Sequence, residues 1–246
     1  GIGYYGAMNS ALTIAADHPG GNIIVEAIEG DLVRLRQDLR DTSEWWFYWN
    51  FRVEGAQGRI LTFSFTNKHV FTAGGPCHSA DGVRWEWLGR SCVDLDSFRY
   101  AFPADEACGR FSFCIPYVGQ GLERFLKDRP TIERSMLTRS EKGREVDLLT
   151  LRSRQGTFKV VLVARMHACE SMSNYELEGI MEYWLTAPEG GAWLREHVDL
   201  RIVPSPSTSG SSTDPTAPAD DPDWWITKTH SHGQHAWVSL LIRLTG

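Results

Sequence analysis

Apolar and polar positions over the first 118 residues alternate in short runs cut by Gly, Asp and Pro. Residues 23–28 are apolar except at Glu26. Residues 45–53 (WWFYWNFRV) and 59–65 (RILTFSF) are rich in the aromatic and β-branched residues that favour strands. Residues 54–58 between them read as a turn, so the two runs are expected to pair as a hairpin. Residues 83–88, 97–102 and 109–115 add further strands. Their spacing predicts an N-terminal all-β sandwich over residues 1–118.

The rhythm then changes. Leu122, Phe125 and Leu126 fall at helical spacing, and Pro130 stops that helix. Residues 146–151 and 158–164 (FKVVLVA) are apolar strands. Leu177, Ile180, Met181, Trp184 and Leu185 mark one face of a second helix, with Ser171 or Ser173 as its N-cap and Pro188 and Gly190–Gly191 as its end. Residues 200–203 begin another strand. Strands alternating with helices predict an α/β domain over residues 119–246, with a mixed, partly parallel sheet. Residues 204–223 are dominated by Pro, Ser, Thr, Ala and Asp and read as a low-complexity loop.

Charge and cysteine usage narrow the function classes. A net charge of −6 and a pI near 5.8 argue against a broad basic surface for nucleic acid. No apolar run approaches the roughly 18–20 residues of a membrane span. Five cysteines with no CxxC pair fit neither a disulfide framework nor a four-cysteine zinc site. The first residues show no charged segment followed by an apolar core, so a cytoplasmic protein with reduced thiols is expected.

The sharpest chemical signal is Ala164-Arg165-Met166-His167-Ala168-Cys169-Glu170-Ser171. An apolar strand ends, a His and a Glu follow three apart, and a helix begins. An imidazole and a carboxylate so placed can face one cation, and zinc accepts both donors. The same spacing also fits a plain helix start with a surface His and a first-turn Glu favoured by the helix dipole.

Four segments occur in a fixed order: Trp46-Phe47-Tyr48, Pro116-Tyr117 ahead of Leu122, Glu141-Lys142-Gly143-Arg144-Glu145-Val146, and the His167–Glu170 motif. As an ordered set they resemble the M14 family of zinc metallocarboxypeptidases, most closely its cytosolic carboxypeptidase branch, over roughly residues 20–203. The resemblance implies an N-terminal β-sandwich ahead of an α/β peptidase domain. It implies zinc as cofactor, His167 and Glu170 as ligands, and the C-terminus of a peptide or protein as substrate. It further implies a later His as third ligand, a glutamate as general base and an arginine clamp for the substrate carboxylate.

The chain departs from that pattern at several points. Ala168-Cys169 stands where the family often has Pro-Gly. No Asn follows Asn174 and no Asp or Glu follows Asp223, so no general base is assigned and the peptidase domain reads as truncated or misread after residue 203. Among the histidines of THSHGQH, His232 is the best third ligand and His230 the next, while a polar turn remains open. Arg165 is taken as substrate-binding, although pairing with a nearby carboxylate serves equally well. Trp45, Trp46 and Trp49 suit core packing better than a carbohydrate platform. The competing reading is a catalytically inactive relative acting as a binding module.

Overall fold

The computed structural model describes residues 11–39, 47–68, 70–139, 143–165 and 170–204, with the backbone of 238–244. The chain divides into two compact units, Gly1–Ile115 and Pro116–Gly246.

The first unit contains β1 (Thr13–Ala15), β2 (Ile24–Glu29), β3 (Leu32–Arg36), β4 (Asn50–Glu54), β5 (Ile60–Phe65), β6 (Cys77–Ser79), β7 (Glu86–Trp87), β8 (Val93–Asp94), β9 (Ser97–Ala101) and β10 (Cys108–Ser112). They form two five-stranded sheets, ordered β1-β4-β10-β6-β7 and β2-β3-β5-β9-β8. Alternation in β5 sends Leu61, Phe63 and Phe65 inward, and β4 answers with Phe51 and Val53. Rings from the two sheets meet there, with centroids of Phe51 and Phe63 5.3 Å apart and those of Phe63 and Phe111 5.3 Å apart. Trp49 is sealed in the same cluster, and its indole N–H donates to the Val70 carbonyl at 2.7 Å.

The expected hairpin between the two aromatic runs does not form. β4 lies between β1 and β10, whereas β5 runs parallel to β3 and antiparallel to β9 in the other sheet. A hairpin would leave both apolar faces on one sheet without cover; placed in facing sheets, they cover each other. Gly55 (φ 74°) and Gly58 (φ 70°) supply the left-handed backbone that carries the chain across.

The second unit contains α1 (Gly119–Lys127), β11 (Glu133–Arg139), β12 (Glu145–Leu151), β13 (Phe158–Ala164), α2 (Met172–Thr186), α3 (Gly190–His197), β14 (Val198–Val203) and β15 (Val238–Leu244). The sheet order is β11-β12-β14-β13-β15. β13 and β14 are parallel, in register from Phe158↔Val198 to Val163↔Val203, and the remaining pairs are antiparallel. The mixed, partly parallel sheet expected from the sequence is therefore present. Leu177, Met181 and Trp184 of α2 join Leu149, Leu162 and Ile202 of the sheet in one core.

In the second unit, β11 and α3 escape the sequence reading. β11 is exposed along its whole length and carries no apolar alternation, as an outer strand needs none. Gly190–Gly191 opens α3 rather than ending α2. A Cβ on Gly191 would lie 2.6 Å from the Tyr183 carbonyl oxygen, so that glycine permits close packing of α3 on α2. Arg195 of α3 then donates to the carbonyls of Trp184, Leu185 and Ala187 at the end of α2.

Phe63→Ala is expected to lower stability by about 3–5 kcal/mol, because a fully buried ring is replaced by a void between two sheets. Denaturant unfolding of the purified chain measures this.

Candidate metal centre at the end of β13

β13 ends at Ala164, and the chain turns sharply at Arg165, whose φ of 57° is a left-handed conformation that a side chain disfavours by roughly 1–2 kcal/mol. Hydrogen bonds hold it there. The Arg165 backbone N–H donates to Ser173 Oγ at 3.2 Å, and its buried guanidinium donates from Nη1 to the Tyr117 carbonyl at 2.6 Å. Ser173 Oγ donates in turn to the Glu170 carbonyl at 2.6 Å. The residue that leaves the strand and the residue that precedes the helix are thus tied to one hydroxyl.

Ser171 occupies the N-cap position of α2 but makes no side-chain cap bond. One turn further on, Asn174 is buried and donates from Nδ2 to the Pro204 carbonyl at 2.8 Å, which fastens the end of β14 to the start of α2. Its Oδ1 has no hydrogen-bond partner among the described residues. The carboxyl ends of the two parallel strands and the amino end of α2 therefore converge. This is the edge of a sheet where ligands are usually bound.

A second layer supports the Tyr117 carbonyl. Tyr117 Oη donates to Glu178 Oε1 at 2.7 Å, Tyr175 Oη donates to the Pro116 carbonyl at 2.9 Å, and the two rings meet edge-on at 5.1 Å. Burial, reinforced by the Glu178 carboxylate, pushes the Tyr117 hydroxyl pKa up. Burial also raises the Glu178 carboxyl above its ordinary range, against the opposing bond from Tyr117 and the charges of Arg129 and Arg124.

Of the site residues expected from the sequence, the structure describes two. Arg165 is buried against Tyr117, and Glu170 is half-buried immediately ahead of α2. His167, His232 and the alternative His230 lie outside the described residues. Among the described residues no group of three His, Cys, Asp or Glu side chains stands where it can hold a metal ion. Ser173, Asn174 and Tyr117 were missed as site-builders. Ser173 was legible only as a capping residue, and the partners of all three lie at least three residues away, mostly on other elements, which no local pattern reveals. His78 is buried in the first unit with Nε2 at 2.7 Å from Glu106 Oε1 and Nδ1 at 3.4 Å from Glu86 Oε1.

The fold resembles that of metallo-carboxypeptidases of known structure. A metallo-carboxypeptidase from Pseudomonas aeruginosa, solved in complex with (2-guanidinoethylmercapto)succinic acid, superimposes with a TM-score of 0.68 at 27% identity, covering 82% of this chain and 57% of that one. Mouse cytosolic carboxypeptidase 6 is 28% identical over 232 residues, 81% of this chain and 43% of that protein. An uncharacterized protein of Zymomonas mobilis is 28% identical over 216 residues, 81% of this chain and 54% of that protein. No family model matches. The chain is thus similar to metallo-carboxypeptidases, proteins named cytosolic carboxypeptidase among them. It spans about half the length of the relatives it matches. No helix among the described residues is long and apolar enough to cross a membrane.

Tyr117→Phe is expected to cost more stability near pH 7 than near pH 4. With its pKa raised, Glu178 contributes stability that is fully present below its unfolded value of 4.5 and lost as pH rises through the folded value. Removing the Tyr117 bond raises that folded value further, so the variant falls away from the parent as the carboxyl ionises. Thermal unfolding of both proteins from pH 4 to 8 tests the sign.

Proposed function

We propose that this chain is part of a zinc-dependent metallocarboxypeptidase that removes C-terminal residues from peptides or proteins in the cytoplasm. The observation that carries this reading is the Arg165–Ser171 junction, set where the parallel strands β13 and β14 end and α2 begins. The names of the relatives support the reaction class. We read the first unit, about residues 1–118, as the branch-specific sandwich, and residues 119–246 as the peptidase part.

The donor set suits the metal. A His and a Glu three residues apart offer the nitrogen and oxygen ligands that zinc accepts, and Glu170 sits half-exposed at the mouth of the junction. His167 and Glu170 would hold the ion, with His232 as third ligand. Bound zinc lowers the pKa of its water and polarises a carbonyl. The chain's own residues do the rest of the work at this end. The Glu170 carboxylate offsets the cation's charge. The bonds of Ser173 and Asn174 keep the strand ends and the helix start from drifting apart. Arg165 places a cation beside the motif. The general base is unassigned.

The full chain is expected to bind one zinc ion in competition with a chromophoric chelator, and His167→Ala is expected to abolish that binding. Release of C-terminal residues from short peptides, zinc-dependent and lost in His167→Ala, supports an enzyme. Zinc binding without hydrolysis supports the binding-module alternative. No zinc binding overturns the metal reading.

A further inference from the structure

We propose that this chain associates with a second copy of itself, the tip of the β8–β9 hairpin of one copy entering the groove between α1 and β11 of the next. β8 and β9 pair Val93↔Phe98 and Asp94↔Ser97, which leaves Leu95 and Asp96 as a two-residue turn. Such turns need left-handed backbone, and Leu95 supplies it at φ 50°. Gly, Asn or Asp adopt that conformation with less strain than leucine. The Leu95 side chain is also 86% exposed, the most exposed large apolar side chain among the described residues. An exposed leucine alone is ordinary. One held in a backbone conformation that disfavours it points to a contact outside the chain. The tip is fixed from both sides: Ser97 Oγ donates to the Asp94 carbonyl at 2.8 Å, and the Phe65 N–H donates to the Asp96 carbonyl at 2.8 Å. The carboxylates of Asp94 and Asp96 flank the leucine and make no ion pair among the described residues.

The matching surface lies in the second unit. α1 and the start of β11 frame an open groove of about 500 Å³, to which Leu126, Pro130 and Ile132 give an apolar lining. Two of its cations are already engaged: Arg129 with Glu182 at 2.8 Å, and Arg134 with Asp147 at 2.8 Å and Glu123 at 2.6 Å. Arg124 and Lys127, in the last turn of α1, make no ion pair among the described residues. The hairpin tip thus carries an apolar side chain between two unpaired carboxylates, and the groove carries an apolar lining beside two unpaired cations. That complementarity names a second copy as the occupant. The two surfaces differ, so the contact is heterologous, and a dimer built on it keeps one free tip and one free groove. A three-residue tip buries less than the roughly 1,200 Å² of a stable interface, so the association is weak and reversible. Salt weakens it further by screening the charge pairs.

The test is sedimentation velocity on the full 246-residue chain, over a rising concentration series at low and at high salt. The sedimentation coefficient of the parent is expected to rise with concentration, and to rise less at high salt. Leu95→Asn removes the apolar tip and suits the left-handed turn, so the fold is kept. Arg124→Gln combined with Lys127→Gln removes the free charges of the groove. Each variant alone is expected to associate about tenfold or more weakly than the parent. Mixed in equal amounts the two variants are expected to form dimers, because the intact tip of one meets the intact groove of the other. A parent that stays monomeric throughout overturns the proposal. Parent-like association in Leu95→Asn overturns it by assigning the contact to another surface, and a mixture no heavier than its components overturns the pairing of tip with groove. Should the groove variant fail to fold by circular dichroism, Asp94→Asn combined with Asp96→Asn removes the opposing charges instead. Loss of the salt dependence there supports the charge match, and an unchanged salt dependence overturns it.

Discussion

The parallel pairing of β13 with β14 is the constraint on which the second unit depends. Two parallel neighbours cannot be joined by a tight turn, so the chain must travel the length of the sheet and return. α2 and α3 are that return path, and their apolar faces build the core over the sheet. Parallel strands also end on the same side. That places Ala164, Pro204 and the first turn of α2 within reach of one another, and the amide of Asn174 and the hydroxyl of Ser173 turn proximity into fixed geometry. The site is therefore a product of topology first and of individual side chains second.

The first unit solves a different problem. Its interior is filled with aromatic rings contributed by both sheets, which supplies much buried area but few partners for polar groups. Several polar groups that sink into it are matched closely, while His18 Nδ1 and Gln37 Nε2 find no partner among the described residues. The Trp49 indole finds a backbone carbonyl, and Tyr100 and His78 share the Glu106 carboxylate, with Tyr100 Oη at 2.9 Å. An unmatched group at any of these points would cost about 1–3 kcal/mol, so this core tolerates rings more readily than it tolerates a displaced carboxylate.

The sequence was legible where burial imposes a period. β5, β13 and the buried face of α2 follow from their apolar spacing, and the change of rhythm after residue 118 announces the helices and the parallel pair. It was illegible where the deciding contact lies far along the chain. The partner of β4 is chosen by which sheet can cover Phe51, not by the nearest strand-like run. Gly191 looks like a helix breaker until the Tyr183 carbonyl is seen against it. β11 has no apolar signature because its side chains face solvent. The candidate site divides the same way. Glu170 and Arg165 stand out in the motif, whereas the bonds that hold the motif come from Ser173, Asn174 and Tyr117, whose residue types alone carry no such message.

Arg195 gives the helical return path a property of its own. The last carbonyls of a helix normally face water or are closed by the residue that follows, so helix ends fray one turn at a time. Here the carbonyls of Trp184, Leu185 and Ala187 are closed by a guanidinium from the next helix. α2 cannot open from that end without releasing α3, and α3 cannot lift without uncapping α2. In the language of amide exchange, the end of one helix and the body of the other belong to a single cooperative unit, anchored at its far side to the ends of β13 and β14.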